Sequence, residues 1–547
     1  MKKYIIPAIV LAIPAVMAAQ SAVDAYTLSR TETRGTARFM AMGGAFTALG
    51  GDLSTLNQNP AGIGVYRRSE VGVTLDISPQ SVTSRSSQYV TKTTSTPVSC
   101  NNFGYIGTVN LGGALETFSW GASYNRVTSF NRKFSAYERN PGTSLTNYIA
   151  AYTTASGILP SSMDFNDNKG YNPYFDSDAD WLSILAYSAY MINPTALDSY
   201  RGLWQNGTDG DSYSVVNESG YVDEYSIDFG GNVSDKFMWG IGFGITDLRY
   251  NRLTYYSESM KNAYVATANG SMTNGNAGYE LVNRRTMTGT GFNLKLGLIF
   301  KPVNELRIGF AFHTPTWYTI TNNAYAEVDY SYLDLSKPES ESNPLAGYDY
   351  TEDSYYNFRM TSPLKVMAGA AVVLGSSAII SADYEYQSYN KIKTSYQDQF
   401  GQYYSDYDVN SNIRQYYKAA NIFRLGVEYR VIPSFSVRAG YNYTSTTSSD
   451  YMLDGGEVLT SGTDPSYSMD RAVNAVSAGL GYRYKAFYAD ATYVYRNKKS
   501  TFKPYTDYVE VKSLPDGTIV NVGQVKTPTF ALNENTNSIV LSVGFKF

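Results

Sequence analysis

The sequence has little of what a disulfide scaffold, a metalloprotein or a histidine-dependent enzyme is built from. Its 547 residues include one cysteine, Cys100, and one histidine, His313. A single thiol cannot close a disulfide framework, and it does not lie just after an export signal, where a lipid-anchored cysteine would. A single imidazole removes most metal sites and most nucleophile–histidine pairs, so no catalytic residue, metal or cofactor is expected. Charge is also sparse: 17% of residues are Asp, Glu, Lys or Arg, against roughly 25% in an ordinary globular domain. The formal net charge is -4. Losing Lys2 and Lys3 with an export signal takes it to about -6, which argues against nucleic acid as a partner. No stretch beyond the N-terminus approaches about 18 consecutive apolar residues, which excludes a helical membrane protein.

What is abundant is tyrosine, 51 residues within an aromatic content of 15%. Its apolar ring and wet hydroxyl suit surfaces that are half in apolar material and half in water. The first 25 residues read as a secretory signal peptide. Lys2 and Lys3 supply the charged start, Tyr4 to Met17 the apolar run, and cleavage is expected near Ala19, Ala22 or Ala25.

The rest of the chain is dominated by period-two alternation, the pattern of a strand with two unlike faces. Val71, Val73, Leu75 and Ile77 are one such series, Phe237, Trp239, Ile241, Phe243 and Ile245 another, and Ile539, Leu541, Val543, Phe545 and Phe547 the last. Fourteen such segments can be counted. Short links, such as Gly112-Gly113, Ser234 to Lys236 and Lys485-Ala486, alternate with long connections at 128–220, 250–284, 318–359, 391–419, 446–473 and 498–536. Tight turns at one end and large loops at the other are the layout of an outer-membrane β-barrel. Lipid enforces closure, because every backbone N–H and C=O in it must be paired. The expected fold is therefore all-β, a 14-stranded antiparallel transmembrane barrel over residues 67–547, in the outer membrane of a Gram-negative bacterium. A secreted array of β-sandwiches is the alternative reading. The terminal Phe547, with Phe545 and Val543 in phase, looks like the signal read by barrel-assembly machinery.

The stretch "MGGAFTALGGDLSTLNQNPAGIG", residues 42–64, fits neither a helix nor a strand. Gly43-Gly44-Ala45-Phe46-Thr47-Ala48 followed by Asn59-Pro60-Ala61-Gly62 resembles the N-terminal plug signature of the FadL/TodX family of outer-membrane channels for hydrophobic compounds. Phe312-His313-Thr314-Pro315-Thr316, "SPLKVMAGAAVVLG" and "ADYEYQSY" are similar to later motifs of that family, and the long Tyr- and Asn-rich loops are most similar to its Bacteroidetes branch. The resemblance implies a hatch, residues 26–66, folded back inside the barrel. It also implies capture of a fatty acid or similar hydrophobic molecule in the lumen, and sideways exit through a gap at a kinked third strand. Gly43, Gly44, Asn59, Pro60, Ala61 and Gly62 are the expected hatch residues. Glycine permits left-handed backbone and close approach to a wall, and Asn59 must be extended or turned because proline follows it. An irregular leader that merely covers the barrel mouth is the competing reading.

Some relatives of this family are called hemin receptors, and imidazole is a common haem ligand. His313, beside Pro315 and Trp317, is nevertheless expected to be a hydrogen-bonded rim residue, and His313 and Trp317 are also candidate ligand contacts. Asp164, Asn166, Asp167, Asn168, Asp176, Asp178 and Asp180 lie in the longest loop without the glycine register of a calcium loop, so a solvated acidic segment is expected. Asp180 to Ile192 reads as a short amphipathic helix capped by Asp180. Its Trp181 and Leu185 either meet a ligand or pack the loop. The expected activity is passive uptake of a hydrophobic small molecule, without chemistry. The rival is a barrel of the same superfamily that docks proteins for a secretion system, a role that adaptable Tyr- and Asn-rich loops also suit.

Overall fold

The computed structural model describes residues 20–196, 198–336, 344–375, 377–513 and 519–547. The expected signal peptide lies outside the described residues up to position 19. The alternating segments form fourteen antiparallel wall strands. They are β1 (Glu70–Ile77, then Gln80–Arg85), β2 (Val90–Ser95, then Val98–Asn110), β3 (Leu115–Ser129, then Arg132–Arg139), β4 (Asp209–Val233), β5 (Phe237–Ala266), β6 (Met272–Phe300) and β7 (Leu306–His313, then Trp317–Asp334). There follow β8 (Ser354–Thr361, then Lys365–Leu374), β9 (Ala378–Gln387), β10 (Ala420–Ile432), β11 (Phe435–Thr444), β12 (Tyr467–Tyr484), β13 (Phe487–Lys503) and β14 (Phe530–Lys546). Each pairs with its sequence neighbours. The barrel closes where β1 meets β14, from Glu70↔Lys546 to Ile77↔Ile539.

The apolar half of the alternation faces outward. Leu75, Phe103, Phe243, Ile245, Leu298, Phe310, Leu425 and Val543 are exposed, whereas their polar neighbours Asp76, Asn102, Thr246, Arg424 and Ser542 are buried. A soluble barrel would reverse this; here the solvent of the outer surface is lipid. The band ends in a girdle where exterior tyrosines donate to asparagines one strand over: Tyr384 to Asn421, Tyr441 to Asn474, Tyr493 to Asn537 and Tyr495 to Asn535, each at 2.7 Å. A closed, even-numbered barrel with this band is of the bacterial outer-membrane type. At its periplasmic end the turns are tight. Gly112 and Gly113 both take left-handed φ (73° and 79°), and Asp235 accepts from Arg67 and Lys301 at 2.5 and 2.9 Å.

The external connections are more ordered than apolar alternation suggests. The loop expected over 128–220 is strand at both ends, and β5 and β6 run on as a hairpin through most of 250–284. Likewise 318–359 begins with the continuation of β7, and 498–536 with that of β13. Above the membrane no face meets lipid, so these extensions alternate Tyr, Ser, Thr and Asn, and an apolar count stops at the membrane surface. The irregular part after β3 contains helices α4 (Leu145–Ala155), α5 (Pro173–Asp176) and α6 (Trp181–Ser188), which pack on the tall wall of β5–β7 through Tyr256, Met260, Tyr279 and Tyr332.

Inside the barrel lie α1 (Ala22–Ser29), α2 (Ala37–Ala41), α3 (Thr55–Gln58) and a 3-10 turn, Pro60–Val65. This lumenal segment reaches back to Gln20, earlier than the expected start at residue 26. It begins beneath the external loops, where Gln20 Nε2 donates to Asp406 at 2.9 Å, and ends at the periplasmic rim, where Ser69 and Phe547 exchange backbone hydrogen bonds. Its lower half fits because the wall has glycine opposite it. A Cβ at Gly240 would overlap the Pro60 carbonyl, at Gly297 the Asn59 side chain, at Gly309 the Thr47 carbonyl, at Gly426 the Met42 carbonyl and at Gly440 the Gly43 amide. The Gly240→Val substitution should therefore destabilise the folded barrel by about 1–3 kcal/mol, the usual cost of overpacking, and raise its ion conductance in a planar bilayer by displacing the hatch. Gly278→Ala, where nothing lies within 4 Å of the added Cβ, should change neither.

Candidate functional site

The lower hatch is held by backbone geometry. Gly43 and Gly44 have φ of 63° and 78°, and Gly50 and Gly51 of 65° and 69°, turns that a side chain would strain. Asn59 is extended (φ -138°, ψ 102°) and caps the 3-10 turn by accepting from the Ala61 amide at 3.1 Å, while its Nδ2 donates to the Thr47 carbonyl at 2.6 Å. Pro60, Ala61 and Gly62 follow, fully packed. All six expected hatch residues thus lie inside the barrel, Gly43 against Tyr441 and Asn59 and Pro60 against Gly297 and Gly240. Asp52 accepts from Ser54 N at 3.0 Å and from Thr36 Oγ1 at 2.7 Å, tying α3 to α2.

The upper hatch is held by charge. Asp24 pairs with Arg285 at 2.9 Å, Arg30 with Asp470 at 3.4 Å, Glu32 with Arg496 at 2.7 Å, Arg34 with Asp76 at 3.2 Å and Arg38 with Glu428 at 2.8 Å. Those wall residues occupy the inward phase of their strands. A carboxylate or guanidinium alternating with exposed Tyr, Leu or Phe has only the lumen to face.

Between the hatch and the upper wall is a cavity of about 220 Å3. Phe39, Met40, Phe130, Met367, Ile422 and Val494 give it an apolar side. Eight Arg or Lys side chains and five carboxylates also line it, so cations are in surplus. Several of them have donors to spare: Arg424 pairs with Glu385 through Nη2, but its buried Nε and Nη1 have no partner. Lys365, on β8 with only β9 between it and the strand of Arg424, has no hydrogen bond or ion pair among the described residues.

The cavity reaches the wall at β3. Pairing of β2 with β3 stops at Asn102↔Asn125, while β3 bulges against β4 between Arg126 and Thr128 and breaks at residues 130–131. Pro97 and Ser99 on one side and Val127 to Asn131 on the other are left without a ladder between them. The hatch bridges this window from inside: Glu32 N donates to Val127 O at 3.2 Å and Thr128 Oγ1 to Arg30 O at 2.5 Å, while Arg34 donates to Ser99 and Asn101 at 3.4 and 3.0 Å.

The other expected contact residues separate. His313 is buried and bonds through Nε2 to the Gln58 carbonyl at 2.9 Å, at the hatch surface and on the cavity lining. The motif around it is a bulge within β7: His313 pairs with Lys295 and Trp317 with Phe292. Trp317 packs on Phe292 on the exterior, ring centroids 5.0 Å apart, and so faces lipid. Trp181 and Leu185 are in the core of the external cap with Tyr174 and Tyr148, away from the lumen. Lys365, Arg424 and the hatch arginines escaped the sequence reading, although their inward phase was available as a signal.

No protein-family model matches the chain, and no curated protein sequence matches it. Similar solved structures include the Pseudomonas putida toluene transporter TodX (12% identity, TM-score 0.43), a Pseudomonas aeruginosa FadL homologue (12%, 0.47) and the Ralstonia pickettii toluene transporter TbuX (12%, 0.40). Each alignment covers 94% of this chain and 99% of the other.

In the external cap, Asp180 caps α6 by accepting from Leu182 N at 3.1 Å. Burial pushes its carboxyl up to about 6, the amides of Leu182 and Ser183 opposing the shift. The fold thus favours the protonated acid, and this stability is full below the ordinary aspartate range and lost as pH rises through the raised value. The thermal midpoint of the cap, followed by tryptophan fluorescence, should fall between about pH 4 and about pH 6. Asp180→Asn, which keeps a capping side chain, should flatten that dependence.

Proposed function

We propose that this protein is an outer-membrane channel for passive uptake of a hydrophobic small molecule carrying an anionic head, of which a long-chain fatty acid is the simplest. The observation that carries the reading is the amphipathic cavity. One side is apolar, and the other presents Lys365 and the free edge of Arg424. Burying a guanidinium edge without a partner is costly, and a carboxylate would satisfy it with short charge-assisted hydrogen bonds. The ligand is captured there, the hatch shifts, and the molecule leaves sideways through the window between β2 and β3 without chemical change. Lateral exit suits a molecule more soluble in lipid than in periplasmic water. His313 has no part as a haem ligand in this reading, since its Nε2 is engaged by the hatch. The C-terminal strand ending in Phe547 is the segment offered to the assembly machinery.

We also propose that the export signal is cut after Ala19. Ser21 and Asp24 form the reciprocal capping box of α1, and Asp24 is bound by Arg285 and Ser461. Cleavage at Ala22 or Ala25 would remove one or both capping residues. Sequencing of the mature N-terminus should read Gln20 first.

Extraction of lipid from the purified protein followed by mass spectrometry should yield an enriched amphipathic anion, and a deletion strain should be impaired in its uptake. Finding neither overturns the reading. Lys365→Gln removes a cation that makes no hydrogen bond or ion pair among the described residues. It should leave barrel assembly intact and weaken binding of a fluorescent fatty acid about tenfold, the worth of one charge-assisted hydrogen bond.

A further inference from the structure

The wall has a second interruption, on the side occupied by β11 and β12. Their ladder ends at Thr444↔Val473, one step above the Tyr441–Asn474 pair of the girdle. Beyond that point the two chains part. Ser445 and Thr447 turn toward β10, where Ser445 N donates to Asn421 O at 2.9 Å and Thr447 O accepts from Lys418 N at 2.8 Å. β12 continues along β13 alone and bulges between Asp470 and Val473. No backbone pairing joins residues 445–448 to 467–472. The cavity extends into this seam: Thr444, Ser445 and Thr447 line it from one side, and Asp470, Arg471 and Val473 from the other.

Two side chains give the seam a character beyond a flaw in the ladder. Arg471, at the bulge, is exposed and lines the cavity. It makes no hydrogen bond or ion pair among the described residues. Tyr26, from hatch helix α1, closes the seam from within. Its hydroxyl lies 2.5 Å from Thr447 Oγ1 on one edge and donates to Asp470 at 3.0 Å on the other. Its ring stacks on Tyr417 with centroids 4.2 Å apart, and Arg30, one turn later, also reaches Asp470.

We propose that this seam is a second lateral port, through which an amphipathic anion dissolved in the outer leaflet exchanges with the lumen. Arg471 receives its carboxylate or phosphate head at the membrane surface, and Tyr26 is the bolt. The proposal rests on the uptake reading above and adds a route to it. The girdle fixes the port at headgroup depth, where a cation attracts an anionic head while the tail stays in hydrocarbon. A single hydroxyl bridging two edges is a small barrier, and it belongs to the hatch that must move for transport.

The full-length mature protein in phosphatidylcholine nanodiscs, irradiated with a diazirine-bearing palmitate, tests this by mapping the adducts. Adducts are expected on residues 440–447 and 467–475 as well as in the lumen. Arg471→Gln should lower the seam adducts about tenfold. Tyr26→Phe keeps the ring stack but loses the bridge, and should speed arrival of the probe in the lumen. Lumenal adducts with a blank seam, or seam adducts indifferent to Arg471→Gln, overturn the port and leave uptake standing. Seam adducts abolished by added lipid A assign Arg471 to a resident headgroup and also overturn it. Absence of adducts anywhere inside the barrel overturns the uptake reading itself.

Discussion

Lipid cannot hydrogen-bond a peptide group, and the molecule is organised around that fact. Fourteen strands close on themselves through the β1–β14 ladder because an open edge would be intolerable at that depth. The two places where neighbouring strands part, above Asn102↔Asn125 and above Thr444↔Val473, lie toward the external end. In both the hatch supplies what the missing strand contacts do not: Arg30 to Arg34 across the first and Tyr26 across the second. The hatch is thus a plug and also the partner of two incomplete seams. A displacement that empties the lumen necessarily exposes both.

The same constraint explains what could be read from the sequence. Where a strand crosses lipid, one face must be apolar, so Phe243, Ile245, Leu296 and Leu298 announce themselves. Beyond the girdle neither face meets hydrocarbon, and the extensions of β5 and β6 through Tyr255, Glu258 and Tyr279 look like loop until their pairing is seen. Asn59-Pro60 and the glycines of residues 42–64 were legible as backbone oddities. The complementary glycines of the wall were not, because Gly240, Gly297 and Gly440 read only as weak strand residues until Pro60, Asn59 and Gly43 lie against them. Trp181 and Trp317 show a different limit. A large aromatic is equally useful in a cap core, a lipid belt or a ligand pocket, and only three-dimensional placement separates these uses.

The two halves of the hatch differ in what holds them, and this bears on the proposed uptake. The lower half, from Met42 to Val65, is seated by backbone against wall glycines and by buried bonds such as Asn59 to Thr47. Such packing has no ligand equivalent and forms a fixed floor. The upper half, from Asp24 to Arg38, is held by ion pairs, several of them on the cavity lining. Partly hydrated ion pairs are worth little net, since their attraction is offset by desolvation, and an incoming anion can take the place of Glu32 or Asp470 on the same arginines and lysines. On the proposed uptake reading, the ion pairs that fasten the upper hatch line the same cavity as Lys365 and Arg424, which would meet the ligand's head. On that reading an anion bound there would compete for Arg30, Arg496 and Lys498, while the packed floor below would leave the wall as the way out.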